Sequence, residues 1–333
     1  MNKNIEDFKF PKVKIYERKI KLKFENTIIF GAKGVGKTFL ILDFLKEFKG
    51  KFLYLDLNDP REKKIDFRGY DLVIIENYNK MFPLPNNCIT FLTSQTQISI
   101  KGFKKIELKN LDFEEYFSFD RHQSIKHSFN YFLSDGNSPQ LLFLEDFFKA
   151  KQLQTDLKLM DYDYDILKFC FTNIGEKFSL YQIYQILKKT KKISKDKFYN
   201  EIERLQKNKI LFFVDKFNSL NVPKKMFSYN FGYKSALSYD KNIKATLENI
   251  VFLELKNEVY YFDNITFYLP EKEEIILVYP FIDEFQLEEK LKELPKKISY
   301  SKIEVITISN EFELKFKNKI VEVQPFWIWA LKG

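Results

Sequence analysis

A chain of 333 residues, 45% hydrophobic and 30% charged, is long enough for two or three domains with their own cores and excludes a disordered or fibrous protein. Its longest apolar run, IILVYPFI (Ile275 to Ile282), falls short of the roughly 20 residues a membrane helix needs. The net charge of +9 comes with only five arginines and an excess of Lys, Phe, Ile, Tyr and Asn typical of AT-rich coding, so it permits a nucleic-acid partner without arguing for one.

The N-terminus MNKNIEDFKF has no apolar core or cleavage site, so no signal peptide is expected and a cytoplasmic location is the expectation. Residues 1 to about 24 are polar and end in KIKLKF, which alternates like a short strand. Five apolar segments of strand length follow: TIIFG at 27–31, KFLYLDL at 51–57, DLVIIE at 71–76, CITFLTS at 88–94 and KKIELKNL at 104–111. The helical pattern KTFLILDFLKEFKG separates the first two and closes on Gly50. Apolar strands alternating with helices predict a parallel sheet covered on both faces.

Between the first strand and that helix, Gly31-Ala32-Lys33-Gly34-Val35-Gly36-Lys37-Thr38 fits G-x-x-x-x-G-K-[ST] in full. Glycines let successive backbone N–H groups turn inward around phosphates, and the following helix, with Phe39 in its first turn, adds its positive end. Lys37 is expected to reach the β- and γ-phosphates, and the Thr38 hydroxyl to coordinate Mg²⁺. The second element is YDLVIIENYN, which places Glu76 at a strand's C-terminal end. Glu76 there is either the Mg²⁺ ligand or, in another register, the catalytic acid, with Ile75 where a metal-holding Asp would stand. Asn77 follows it, and an amide orients water without taking its proton, so slow or absent ATP hydrolysis is expected. Thr93 and Ser94 end the CITFLTS strand, where a polar residue can sense the γ-phosphate. No N-K-x-D element is present, since NKMF at Asn79 to Phe82 lacks its Asp, so ATP or ADP is the expected nucleotide.

From residue 113 the pattern turns helical (DFEEYFSF, SIKHSFNYFLSDG, PQLLFLEDFFKAKQLQTDLKLM). A second unit begins near Asp161: DILKFCFTNIGEKF reads as one helix, SLYQIYQILKKT as another with Ser179 and Gln182 as a capping box, and SKDKFYNEIERLQKNK as a third with Ser194 as N-cap. The strand ILFFVDKF completes a winged-helix order. A third unit starts around 227 with the helix ATLENIVFLELKNE and the strands VYYFDN, ITFYL, EIILVYPF and KIEVITIS. Cys88 and Cys170 lie far apart in apolar surroundings, as free buried thiols of a reducing compartment do. His122 and His127 have no Cys cluster nearby, so no metal site is expected there.

The order FGAKGVGKTFLILDFL, LYLDLNDPR, VIIENYN, FLTSQTQ and IELKNLDFEEYFSF resembles an AAA+-type family of prokaryotic, archaeal-type ATP-binding proteins related to the signalling (STAND) P-loop NTPases. Asp59 to Arg61 match its second-strand signature, FLSDGNSPQL is similar to the turn after its core, and FGYKSALSYDKNIKATLENIVFLEL resembles the start of its C-terminal domain. The resemblance implies an α/β chain of three parts: a P-loop ATPase domain over 1–155, a winged helix over 156–226, and a restriction-endonuclease-like domain over 227–333. That nuclease chemistry needs an Asp on one strand and Glu-x-Lys on the next. ITFYLPEKEEIILVYPF has apolar residues there, and Asp263, Glu273 and Glu274 are wrongly spaced, so the fold is carried over and the activity is not. Glu248 and Glu254 read as surface or capping residues.

The third helix of the winged unit carries Lys195, Lys197, Asn200 and Arg204, with Lys207 at its end and Lys188, Lys189, Lys191 and Lys192 before it. These residue types suit phosphate and base contacts, whereas Asp196, Glu201 and Glu203 on the same helix suit an internal or protein-docking role. The leading expectation is an ATP·Mg²⁺-dependent switch; the alternatives are a DNA-binding ATPase and a structural adaptor holding ADP permanently. Protein partners or further copies of the chain fit either role, with Arg61, Arg68 or Arg121 as the arginine-finger candidates.

Overall fold

The computed structural model describes residues 10–332 apart from 13, 61–64, 121–123, 241 and 296, and the chain divides into two compact units, Met1–Asn110 and Leu111–Gly333. The first unit is a five-stranded sheet built from β1 (Thr27–Phe30), β2 (Phe52–Asp56), β3 (Leu72–Glu76), β4 (Ile89–Ser94) and β5 (Lys104–Glu107), with α1 (Lys37–Glu47) between β1 and β2. Its strand order is β2-β3-β4-β1-β5, and every pair is parallel. The continuous apolar runs of β1, β3 and β4 are explained by this arrangement. Strands in the middle of a parallel sheet are covered on both faces, and Ile28, Ile29, Val73, Ile74, Phe91 and Leu92 are all buried. Leu40, Ile41, Leu42 and Leu45 of α1 are buried, and Phe44 meets the edge of Phe91 at 5.0 Å.

The strand expected in KIKLKF does not form. Its Lys21 instead bridges Glu17 at 2.8 Å and Asp43 of α1 at 3.2 Å, and Phe24 packs on Phe48 at 5.5 Å. This stretch is therefore held by side chains running along α1 rather than by a ladder.

The second unit begins with α2 (Phe113–Phe119) and α3 (Ile125–Asp135), a 3₁₀ turn over Pro139–Phe143, and α4 (Asp146–Leu159). Next come α5 (Tyr164–Thr172), β6 (Lys177–Phe178), α6 (Leu180–Thr190), α7 (Lys195–Lys207), β7 (Leu211–Val214) and β8 (Lys224–Ser228). The last part comprises α8 (Gly232–Leu237), α9 (Ile243–Glu254), β9 (Tyr260–Phe262), β10 (Ile265–Leu269), β11 (Glu274–Val278), α10 (Glu284–Lys292), β12 (Lys302–Thr307), β13 (Phe312–Phe316), β14 (Lys319–Pro325) and α11 (Phe326–Leu331). The small sheet runs β6-β8-β7, all antiparallel. The large mixed one runs β13-β14-β12-β11-β10-β9, with only β11, β12 and β14 parallel.

The capping box of Ser179 with Gln182 and the Ser194 cap form as the sequence predicts. The helix read through GEKF stops instead at Asn173, whose N–H returns to Cys170 and Phe169, and β6 follows. Cys170 is buried, which raises its thiol pKa, whereas Cys88 is only half-buried, with its pKa also raised by burial.

Helices α2 and α3 belong to the second unit. Phe113, Phe129 and Phe132 ring Phe326 of α11 with centroid separations of 5.3 to 6.4 Å, and aromatic clusters of this kind bind together elements distant in sequence. Glu254, at the end of α9, accepts from the Phe113 N–H at 2.9 Å and so caps a helix other than its own. The small sheet and the large one also share a core. Ser228 and Asn249 exchange buried hydrogen bonds at 2.8 and 2.9 Å, and Phe227 stacks on Phe252 at 4.7 Å.

Candidate functional site

All five strands of the first unit end at the same edge, so the segments that follow them share one rim, and in open α/β sheets ligands bind beside strand C-termini. The loop Gly31–Gly36 leaves β1 there. Gly34 and Gly36 hold φ of 83° and 95°, which turn the amides inward at no side-chain cost. Gly36 caps α1 without a side-chain hydrogen bond, and α1 has no acid in its first turn. Its first amides are thus open to an anion, reinforced by the helix dipole.

The Lys37 Nζ donates to the carbonyls of Gly31 and Ala32 at 2.7 and 2.8 Å, so the lysine lies across the loop it follows. Burial pushes its ammonium down to about 8, with the Glu76 charge acting the other way. Thr38 Oγ1 donates to Glu76 Oε1 at 2.6 Å. Glu76 is buried, and burial raises its carboxyl pKa; hydroxyls of Thr38 and Tyr54 and the charge of Lys37 oppose that, while Asp56 adds to it. A hydroxyl and a carboxylate side by side are hard oxygen donors of the kind Mg²⁺ takes, so these residues fit ATP·Mg²⁺. Among the other predicted loop residues, Val35 is buried, Lys33 half-buried, and Phe39 points outward with 46% of its surface exposed.

Because β4 lies between β1 and β3, Thr93 and Ser94 stand between the phosphate loop and Glu76. The Thr93 hydroxyl accepts from the Asn77 N–H at 3.0 Å, and the Gly31 N–H donates to the Ser94 carbonyl at 3.2 Å. Asn77 sits at a φ of 54°, and its Nδ2 donates to Asp56 Oδ1 at 2.9 Å.

Two residues of this site escape a reading of motifs. Asp56 is the cross-strand neighbour of Glu76 and so brings a second carboxylate to the rim from β2 rather than from β3. The signal available was an acid ending the strand FLYLD. Arg18, buried in the polar N-terminal stretch, donates from Nη1 to the Val35 carbonyl at 2.8 Å and from Nη2 to the Lys109 carbonyl at 2.9 Å. It ties the loop's far side to the chain leaving β5. Arg18→Ala should therefore weaken ATP binding about tenfold, as expected for losing charged hydrogen bonds that shape the loop; an unchanged Kd by titration calorimetry would remove Arg18 from the site.

The remaining candidates are dispersed. Arg68 forks onto Asp66 on the surface, while Arg61, Arg121 and His122 lie outside the described residues. His127 stacks on Tyr131 at 6.0 Å. Lys195, Lys197 and Asn200 are exposed on α7, but Arg204 is committed to Asp161 and Glu201 at 2.9 and 3.4 Å and lies 4.3 Å over the Tyr162 ring. Asp263 pairs with Lys216, Glu273 accepts from Ser299, and Glu274 is buried near Lys302. Glu248 is a buried ion-pair partner of Lys225 at 2.7 Å, not a surface residue. No group of three or more His, Cys, Asp or Glu among the described residues forms a metal cluster, and no helix among them is long and apolar enough to cross a membrane.

The family described as AAA domain matches residues 23–92, the span from just before β1 into β4 that carries the loop and Glu76. The first unit is an ATP-binding P-loop NTPase fold. Over 408 residues, the chain is 24% identical to an uncharacterized protein of Methanocaldococcus jannaschii, covering 96% of this chain and 92% of that protein. It also superposes on the Walker-type ATPase of Pyrococcus abyssi over 63% of this chain and 90% of that one, with a TM-score of 0.41 and 13% identity, too low a likeness to transfer function.

Proposed function

We propose that this P-loop protein is a nucleotide-dependent switch in which ATP·Mg²⁺, held by Lys37, Thr38 and Glu76, favours one arrangement of the two units over another. The observation that carries it is the meeting of those three side chains at the end of β1 and β3. When bound, the metal supplies charge neutralisation at the β- and γ-phosphates. The chain's own groups do the rest. Loop amides and Lys37 bind the phosphates, and the Thr38 and Glu76 oxygens orient the metal. Asn77, held through its side chain on Asp56, directs an amide rather than a base toward the rim. A ligand shifts such an equilibrium only through unequal affinity for the two states, so small-angle scattering profiles with ATP and with ADP should differ. Superimposable profiles would end the switch reading.

Supporting the second unit's part in this are α5–α7 with the sheet β6-β8-β7, which we read as a winged helix, and the α9-to-β12 succession, which we read as a nuclease-like fold without its acids. In the same reading, slow turnover follows from the amide of Asn77 standing where β3 would carry a base after Glu76, with the second carboxylate, Asp56, reaching the rim from β2 and already bonded to that amide. Asn77→Glu is a poor test, because a Glu there would meet a positive φ and the Asp56 carboxylate. Asp56→Asn is cleaner. Wild-type turnover is expected below about 0.01 per second, the scale of P-loop proteins acting unaided, and Asp56→Asn should reduce it further at unchanged ATP affinity. Turnover near 1 per second, or stimulation by duplex DNA that fades steeply with salt, would favour a DNA-dependent ATPase, for which the exposed Lys195, Lys197 and Asn200 of α7 speak.

A further inference from the structure

Away from the phosphate loop, the second unit contains a cleft of about 530 Å³ between β6 and β8, the first turns of α9 and the β9–β10 turn. That volume lies in the range of small-molecule sites. Four lysines line it: Lys290, bridged to Glu293 at 3.4 Å, and three more. Lys225 is buried and paired with Glu248 at 2.7 Å. Lys177 stands 4.7 Å over the Tyr261 ring, and Lys244 stands 5.3 Å over the Tyr279 ring, both exposed to the cleft's solvent. Burial lowers the Lys225 ammonium, its partner Glu248 opposes this, and the charges of Lys244 and Lys177 add to it.

Four acids share the lining with them, and Glu248 is the one paired with Lys225. The other acids of the lining are spoken for or peripheral: Asp263 is bridged to Lys216 at 2.7 Å, Glu293 to Lys290 at 3.4 Å, and Glu176 is exposed at the rim. Like charges gathered in a concavity raise the local potential and draw in anions, and the half-buried Tyr279 lies beside them, whereas Tyr261 is buried beneath Lys177. Asn242 and Ala245 also line the cleft, so the amino end of the 12-residue α9 faces it and adds the same sign of field.

We propose that this cleft is a second anion site, which takes a small phosphorylated molecule of nucleoside-monophosphate size, its phosphate on Lys177 and Lys244 and its ring beside Tyr279. Lys225 and Glu248 form the buried base of the site.

The test is titration calorimetry of AMP and of inorganic phosphate into full-length Lys37→Ala protein without Mg²⁺, and into the same protein carrying Lys177→Ala and Lys244→Ala. One AMP per chain is expected, displaced by phosphate and weakened at least tenfold by the two added substitutions, with an unchanged unfolding temperature because both lysines are exposed. Weakening with rising salt is expected as well. The proposal is overturned if AMP shows no saturable binding, or binds equally to both proteins, or if a short single-stranded oligonucleotide binds through these lysines while AMP does not. Should Lys37→Ala itself leave ATP binding intact, the phosphate-loop reading fails, and the dependence on Lys177 and Lys244 still decides the cleft.

Discussion

Lys37→Ala should lower ATP affinity at least a hundredfold while leaving the protein folded. The ammonium would trade its two loop carbonyls for phosphate oxygens, and charge-assisted hydrogen bonds of this kind contribute roughly 1.5–3 kcal/mol each, two of them being about a hundredfold or more. Stability should hardly fall. Keeping a buried lysine charged when burial has brought it from 10.5 to about 8 costs about 3 kcal/mol at neutral pH, a cost that alanine removes along with the hydrogen bonds. The same shift sets a pH dependence. In the free protein Lys37 is protonated below about 8, and bound phosphate raises its pKa, so binding takes up a proton above that pH. ATP affinity should be level below pH 8 and fall by up to about tenfold per unit above it. Micromolar ATP binding by the variant, or affinity that rises with pH, would contradict this account.

Gly31→Ala should cost the first unit about 2–3 kcal/mol or more and lower its unfolding midpoint by about 10 °C. A Cβ at Gly31 would lie 2.2 Å from the Leu108 carbonyl oxygen and 3.3 Å from the Val35 side chain. Neither neighbour can withdraw easily. Leu108 donates to the Phe30 carbonyl at 2.8 Å, and the Gly31 N–H is bonded to Ser94, so the strands on both sides hold the site. Gly69→Ala is the natural comparison: it also has a positive φ, but a Cβ there meets nothing within 4 Å, so it should cost only about 1 kcal/mol of backbone strain. Equal thermal shifts for the two variants would mean that the contact with Leu108 is not what requires glycine.

Much of the site was legible because its code is local. The eight-residue loop, the apolar strand entering it, the helix leaving it and the carboxylate ending β3 each depend on neighbours a few residues away. The same holds for the Ser179 and Ser194 caps, whose partners lie three residues along the chain. Sequence alone therefore placed four strands at nearly their true limits and the start of a fifth, which ends at Glu107 rather than Leu111, and it singled out the loop, Lys37, Thr38 and Glu76 that the fold brings to one rim.

The tertiary structure decided which distant groups meet them. Strand order depends on crossovers, and no local pattern states that β4 separates β1 from β3 or that β2 lies beside β3, which is what brings Asp56 next to Glu76. Arg18 acts on main-chain carbonyls, which every residue has, so nothing in the sequence marks its partners. The pairing of Glu248 with Lys225 and the ring of phenylalanines around Phe326 likewise join residues far apart in the chain. Burial then assigned their chemistry: the same lysine or glutamate that water would leave unperturbed changes its proton affinity once packing removes the solvent around it.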